Sequence, residues 1–504
     1  MRKNIKISIA SVICAAFLAA CGTGKATTSK EVSAATPQTD FHSYINADWL
    51  KETKLGEGQS QIDNLGQLTE KTQEAVQEMI DQLDIDYSKL KEGSDEKKLI
   101  DFYRLASDFE SRNRLGLEPV KPYLDEIQKA TSMAELNKVL ISLYGKNIRN
   151  LLNLSVTQDI MDSNKNSLYL DPHKLSFPKE NYEGTDDFSL KNQKAFKAYL
   201  EKVFTMAGAS SKEAATKAEK VFELEKELAL AQLPQEKAKD IKAAYNPKSW
   251  DEVKALAPNL PVTELAANLG VQDAPFVVVT DPEGLKKVSE VYQENNLEAL
   301  KALLQYRVIA HYSDYLSEDL IEAKAKYEGV ANGAVDIPSS EALAQSAIED
   351  NFSDMIGKVY VKKHFSEKSK ADIQAMVQEI KQTYAERIKA VQWMSEETKM
   401  QALKKLDTMV VKIGYPDKWR DYSNYTIQPK EEGGSIVSAV EMIKTQELQE
   451  EMAQLKKPFD KSQFGMPAHM VNAYYSPGSN EIVFPAGILQ APFYDPKASP
   501  DETF

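Results

Sequence analysis

The 504-residue sequence predicts a mainly α-helical protein with small β insertions. Long stretches rich in Glu, Lys, Gln, Leu and Ala carry apolar residues three and four positions apart, which is the spacing of one helix face. Short β-branched or aromatic runs interrupt these stretches, and several have turn-forming residues beside them. We find no repeat of fixed period, and the length is sufficient for two or more domains.

The amino-terminal residues predict an export signal followed by a tether. Three cations among the first six residues precede an apolar run that suits a signal peptide over residues 1–20 and is too short for a comfortable membrane span. The run ends in Leu-Ala-Ala-Cys-Gly, which is typical of a bacterial lipoprotein, so Cys21 is the expected lipidation site. An ordinary secretory signal with an incidental cysteine is the alternative. Residues 21–39 have the composition of a flexible tether.

This signal predicts an exported protein, anchored to the outer face of the bacterial cell membrane through a lipid on Cys21. The only other cysteine, Cys14, lies within the signal, so the mature chain is expected to have no thiol free for a disulfide. The formal net charge of −14 argues against a nucleic-acid partner and disfavours broad contact with anionic lipid surfaces.

The helical domain is expected to begin after the tether, with large apolar groups between residues 40 and 50 that suit a docking segment. Residues 61–144 are predicted to be mostly helical. Short strands are predicted at 151–156, 168–170 and 276–279. Further helices are predicted at 192–206, 211–233, 285–292 and 297–316.

Two long helices near residue 400 are predicted to form an α-hairpin. Ser369 and Asp372 have the spacing of a capping box, and an apolar stripe follows them to about Trp393. Ser395 is the predicted cap of the second helix, whose apolar stripe includes Met409, Val410 and Ile413 and which ends at Gly414 and Pro416.

Residues 466–490 contain the candidate site. Residues 471–475 and 482–484 are β-branched or aromatic runs separated by Ser-Pro-Gly-Ser-Asn, which predicts a hairpin. An asparagine on an exposed edge strand can bond both the C=O and the N–H of an extended peptide, and neighbouring backbone groups add ladder bonds. Asn472 is therefore the candidate peptide-binding residue. The alternative is that Asn472 only satisfies its own chain.

The sequence Met-Pro-Ala-His-Met-Val-Asn-Ala-Tyr-Tyr, followed by Ile-Val-Phe-Pro-Ala-Gly-Ile-Leu-Gln, resembles the substrate-strand segment of the neprilysin family of zinc endopeptidases, peptidase family M13 of the bacterial oligopeptidase O type. Residues 40–50, 393–399 and 413–419 also resemble that family. The Asn-Ala pair of this motif grips the substrate backbone in the family, so the resemblance assigns this role to Asn472 and Ala473.

The resemblance also implies a domain organisation and an activity. Residues 40–460 are expected to form the large helical amino-terminal domain, which caps a chamber for peptides in the family. Residues 461–504 are expected to be the leading β-hairpin of a thermolysin-like catalytic domain. The implied activity is zinc-dependent endopeptidase action on oligopeptides.

The sequence itself contains no complete zinc motif. A thermolysin-like hydrolase needs two histidines one helical turn apart, a third ligand and a glutamate as general base. The sequence has five histidines, and no two of them have that spacing; they are His42, His173, His311, His364 and His469. The family's His-Glu-x-x-His helix follows the hairpin, and the sequence ends before it. We therefore expect neither a catalytic residue nor a zinc ligand in this chain.

Three weaker candidates remain among the histidines. His364 with Glu367, and His311 with Asp314, place a carboxylate three residues after an imidazole, but such pairs are common on solvated helix ends. His469 lies beside the Asn472 strand and could orient a peptide, although a packed structural role is favoured.

Three hypotheses stay open from the sequence: an inactive piece of a zinc endopeptidase, a zinc-free peptide-binding or adhesion lipoprotein, and an incomplete coding sequence. A serine-hydrolase Gly-x-Ser-x-Gly elbow and a phosphate-binding glycine loop that follows a strand are both absent from the sequence.

Overall fold

The structure is a computed structural model, and it describes residues 35–498 except 56–60, 173, 334 and 336. The predicted signal peptide, Cys21 and His173 lie outside the described residues. Within the described residues, we find no helix that is both long enough and apolar enough to span a membrane.

Most of the described chain is helical, as predicted. The helices before the first strand are α1 (Phe41–Ile45), α2 (Ala47–Glu52), α3 (Asn64–Ile85), α4 (Asp95–Ser107), α5 (Phe109–Leu115), α6 (Lys121–Lys129) and α7 (Met133–Gly145). The central helices are α8 (Lys179–Glu183), α9 (Asp187–Met206), α10 (Ser211–Ala231), α11 (Gln235–Ala238), α12 (Ile241–Ala244), α13 (Trp250–Leu256), α14 (Val262–Asn268), α15 (Pro282–Val291), α16 (Leu297–Tyr312), α17 (Glu318–Asn332) and α18 (Ser340–His364). The last are α19 (Glu367–Ala390), α20 (Glu396–Asp407) and α21 (Ile436–Ala453).

Short 3₁₀ turns connect several of these helices. They are Tyr87–Lys89, Glu118–Val120, Glu294–Asn296, Ser313–Tyr315, Lys430–Glu432 and Gln454–Lys456.

Two small sheets interrupt the helices. The first has the order β1-β2-β4-β3, with β1 (Leu152–Gln158), β2 (Asn166–Pro172), β3 (Asn246–Lys248) and β4 (Val277–Val279). The second has the order β5-β7-β6, with β5 (Val410–Gly414), β6 (Tyr474–Ser476) and β7 (Glu481–Pro485). The strands predicted near residues 151, 168 and 276 are confirmed as β1, β2 and β4.

A single apolar core connects the helices to the second sheet. Helix α16 is apolar around most of its circumference, and its buried side chains include Leu303, Leu304 and Ile309, none of which is exposed. Ala486 and Tyr494, which follow β7, belong to the same buried cluster. The carboxyl-terminal hairpin is therefore packed onto the helical part. The predicted boundary at residue 460 stays a prediction, and β5 on one side of it pairs with β7 on the other.

The predicted pair of helices is present as α19 and α20, with different ends. Ser366, not Ser369, is the cap of α19, because its side chain accepts a hydrogen bond from the Ser369 N–H. Helix α20 ends at Asp407, so the predicted helical stripe through Ile413 is wrong. Residues 410–414 instead form β5, whose β-branched side chains suit a strand that pairs in parallel with β7.

Two further expectations differ from the structure. The apolar residues of α1 and α2 are mostly exposed, with Phe41 64% and Ile45 61% exposed, so these side chains do not pack as predicted. Trp49, the one half-buried side chain among the large apolar residues of the segment, contacts α3, where its Nε1 donates to the Gln67 Oε1 at 3.1 Å. Strand β6 begins at Tyr474 rather than at residue 471. The register pairs Tyr474 with Val483, so Asn472 would face Pro485, which has no N–H to donate to a ladder.

Candidate functional site

Strand β6 lies at the edge of the second sheet. It pairs antiparallel with β7 on one side, and the sheet order places no strand on its other side among the described residues. An unpaired edge presents a row of backbone N–H and C=O groups that another extended chain can bond. The geometry that peptide addition requires is therefore present at β6.

Asn472 and Ala473 lie immediately before β6 and are both half-buried. The Asn472 Oδ1 accepts a hydrogen bond of 2.8 Å from the Ala473 N–H. We find no acceptor for the Asn472 Nδ2 among the described residues. The side chain thus uses part of its bonding capacity on its own chain, as the alternative interpretation required, and keeps two N–H donors and one oxygen lone pair.

A buried ion pair holds β6 and β7 in place. The Lys412 Nζ of β5 lies 2.6 Å from the Glu481 Oε2 of β7, and the two side chains are only 7% and 8% exposed. The Tyr474 hydroxyl of β6 donates to the Glu481 Oε1 at 3.0 Å and accepts from the Gly465 N–H at 3.1 Å. Burial and the Glu481 carboxylate raise the pKa of Tyr474 to about 12, so the hydroxyl keeps its proton at neutral pH.

This network joins all three strands of the sheet and was not predicted from the sequence. The available signal was one charged residue in each apolar run, with Lys412 inside Val-Val-Lys-Ile and Glu481 directly before Ile-Val-Phe. A charged side chain is seldom buried unless it is paired, so a charge beside an apolar run indicates a partner elsewhere in the chain without identifying it.

His469 is a buried structural residue. It is 7% exposed, and its ring centroid lies 6.4 Å from that of Tyr360 on α18. Burial lowers the pKa of His469 to about 4, so the imidazole is neutral at pH 7. A Cβ on Gly487 would lie 2.1 Å from the His469 carbonyl oxygen, so the backbone following β7 approaches this residue too closely for any side chain.

The other two histidine candidates, His364 and His311, pack against neighbouring side chains. His364 stacks on Tyr360 with ring centroids 4.7 Å apart, and burial lowers its pKa. The Glu367 carboxylate, three residues later, accepts a hydrogen bond from the Tyr415 hydroxyl. His311 is half-buried in α16, and desolvation lowers its pKa to about 4.

A zinc ion does not fit the residues that the structure describes. Asp314, the predicted partner of His311, instead pairs with Lys324 at 2.7 Å. Across residues 35–55, 61–172, 174–333, 335 and 337–498, no three His, Cys, Asp or Glu side chains lie together in a way that could hold a metal ion. We therefore derive no catalytic step at these positions.

The chain is similar in sequence to known peptidases. Family models described as "Peptidase family M13" match residues 37–416 and 472–504. A Streptococcus gordonii protein named as a zinc metalloproteinase is 28% identical over 464 residues, which cover 91% of this chain and 81% of that protein. A neutral endopeptidase of Lactococcus lactis is 28% identical over 479 residues, which cover 93% of this chain and 74% of the relative.

A solved structure shows the same fold. The zinc metalloprotease Zmp1 of Mycobacterium tuberculosis, in complex with an inhibitor, matches with a TM-score of 0.83 and 27% identity. The match covers 92% of this chain and 70% of that one.

Proposed function

The chain belongs to peptidase family M13, a family of zinc metallopeptidases, and from this premise we propose that residues 472–476 bind an extended oligopeptide for zinc-dependent endopeptidase action. The observation that carries the proposal is the free edge of β6, with the Asn472 amide beside it. A peptide added to this edge would form ladder bonds to the β6 backbone. Asn472 and Ala473 would extend the contact beyond the point where pairing with β7 ends.

The Asn472 side chain suits this role because its bonding capacity is only partly used. Its free Nδ2 can donate to a peptide carbonyl, and the second lone pair of Oδ1 can accept from a peptide N–H. The Lys412–Glu481–Tyr474 network supports the segment from behind, so the edge is fixed before a peptide arrives. Fixing the edge in advance reduces the ordering entropy that peptide binding would otherwise cost.

The test compares the wild type with Asn472→Ala and with Asn295→Ala, an exposed asparagine outside the second sheet. Calorimetric titration of an extended peptide should show an affinity about tenfold weaker for Asn472→Ala, because two hydrogen bonds of about 0.5–1.5 kcal/mol each are lost. Thermal melts of the three proteins should nearly coincide. Equal peptide affinities with a lower melting temperature for Asn472→Ala would show that the residue serves only its own loop.

Zinc supplies a Lewis acid and an activated water in enzymes of this kind. We propose that the residues described here bind a peptide but do not bind zinc and do not cleave the peptide, because their His, Cys, Asp and Glu side chains do not form a metal-binding group. Metal analysis of dialysed protein should therefore find much less than one equivalent of zinc, and a short quenched fluorescent peptide should stay intact. One retained equivalent, or chelator-sensitive cleavage, would contradict this.

We also propose that the protein is exported and anchored at the outer face of the cell membrane through a lipid on Cys21. The support is the Leu-Ala-Ala-Cys sequence after an apolar run. Cys21→Ala should move the protein from the membrane fraction to the medium, whereas Cys14→Ala should not. Membrane retention of Cys21→Ala would refute the anchor.

A further inference from the structure

A cavity of about 290 Å³ is lined by residues of α5, the 3₁₀ turn Ser313–Tyr315 and the start of α21. Three cations line it, Arg112, Arg114 and Lys430, together with one carboxylate, Asp108. None of its lining residues belongs to the second sheet. The cavity lining thus carries an excess of positive charge in a chain whose formal net charge is −14.

Arg112 is the buried member of this set, with 5% of its surface exposed. Its guanidinium donates to three backbone carbonyl oxygens, those of Leu316 at 3.0 Å, Ala106 at 2.8 Å and Asp314 at 2.7 Å. A guanidinium has five N–H donors, so two of them have no acceptor among the described residues. The buried charge is thus held by neutral dipoles, and part of its bonding capacity is free.

The two carboxylates that act electrostatically on Arg112 are bonded to other groups. Asp314 pairs with Lys324 at 2.7 Å, and Glu318 accepts from the Asn113 side chain at 2.7 Å. Burial lowers the pKa of Arg112 to about 10, while the Asp314 and Glu318 carboxylates act in the opposite direction without a direct bond to the guanidinium. A buried cation without an anionic partner is costly, and a bound anion would remove that cost.

Three further sets of donors line the cavity. Arg114 is exposed, and within the described residues its guanidinium contacts only the Ser111 hydroxyl, at 3.3 Å. Lys430 pairs with Asp108 at 2.5 Å and keeps a side chain that is 56% exposed. Ile436 and Val437 contribute the first two backbone N–H groups of α21, while the Ser435 side chain bonds the Ser438 N–H.

We propose that this cavity binds a small oxyanion of the phosphate class. A dianion matches two guanidinium groups, an ammonium group and free backbone N–H donors better than a single carboxylate does. The site is separate from the peptide edge and joins α5 to α21, two elements far apart in the sequence. Its occupation should therefore stabilise the helical part without changing peptide binding.

The experiment titrates inorganic phosphate into the full chain by calorimetry and follows thermal melts, with chloride added to keep the ionic strength constant. We expect saturable binding at one site and a rise in melting temperature. Arg114→Ala should raise the dissociation constant at least tenfold, because a charge-assisted contact is lost from the exposed side of the cavity. Arg387→Ala, which removes an exposed arginine of α19, is the matched control and should bind as the wild type does.

Arg112→Lys provides a second test, since it keeps the positive charge and removes the planar set of guanidinium N–H donors. Because residue 112 is buried, this variant is at risk of failing to fold. Lys430→Ala is therefore measured beside it. Absence of saturable phosphate binding by the wild type would overturn the proposal. Affinities that are equal in the wild type, Arg114→Ala and Lys430→Ala would overturn it as well.

Discussion

Breaking the ion pair between Lys412 and Glu481 should destabilise the protein far more than breaking an exposed pair. The two charged atoms are 2.6 Å apart and their side chains are 7% and 8% exposed. Glu481→Gln keeps the shape of the side chain but leaves the Lys412 ammonium in the sheet without a counter-charge. Removal of one partner from a buried pair costs about 3–5 kcal/mol.

The lower end of that range applies here. The Lys412 Nζ also donates to the Gln463 carbonyl oxygen, and the introduced amide oxygen can still accept from Lys412. We therefore expect a loss of about 3 kcal/mol in the free energy of unfolding for Glu481→Gln, and a similar loss for Lys412→Met. The double variant removes both charges, so its loss should be only about 2 kcal/mol rather than the sum.

Urea denaturation followed by circular dichroism measures all four proteins of this cycle. Glu396→Gln is the control, because Glu396 pairs with Lys399 at 2.9 Å with an 86% exposed side chain, and exposed pairs contribute less than about 1 kcal/mol. A double variant whose loss equals the sum of the single losses would show that the two charges act independently. That result would refute the description of Lys412, Glu481 and Tyr474 as one buried unit.

Two pH-dependent predictions follow from buried titratable groups, and they have opposite signs. Burial lowers the pKa of His469 from 6.5 to about 4, so only the unfolded state takes up a proton as the pH falls through 6.5. The free energy of unfolding should therefore decrease between pH 6.5 and pH 4. Chemical denaturation of His469→Gln should show a decrease that is smaller by about 3 kcal/mol. Burial raises the pKa of Glu349 from 4.5 to about 7, so between these pH values the folded state keeps a proton that the unfolded state loses. Glu349→Gln should therefore be more stable than the wild type at about pH 8 and about as stable as the wild type at about pH 4. Unchanged pH profiles in these variants would contradict the assignments.

The helices could be predicted from the sequence because their signals are local. In α9 and α10 the apolar spacing predicted the helix and nearly its limits. The α10 cap is a further local signal, since Ser210 and Glu213 form a capping box that is visible in the sequence. Such features need no knowledge of distant residues.

Strand β5 could not be predicted because its partner is distant. Val410 and Ile413 fit a helical stripe as well as a strand, and only pairing with β7 decides between them. The same limit applies to the Lys412–Glu481 pair and to the Arg112 cavity, whose lining comes from separate parts of the chain. Asn472 was found through a family motif, whereas the free edge beside it became visible only with the sheet order.

The parallel pairing of β5 with β7 has a consequence for synthesis of the protein. Val410 pairs with Glu481, so β5 leaves the ribosome about 70 residues before its partner exists. At roughly 5–20 residues per second, that interval lasts about 4–14 s. During it, β5 exposes an apolar strand edge of the kind that associates with other nascent chains. We expect Lys412 to oppose such association, since a charged side chain in the centre of an apolar strand disfavours aggregation until Glu481 is available to pair with it.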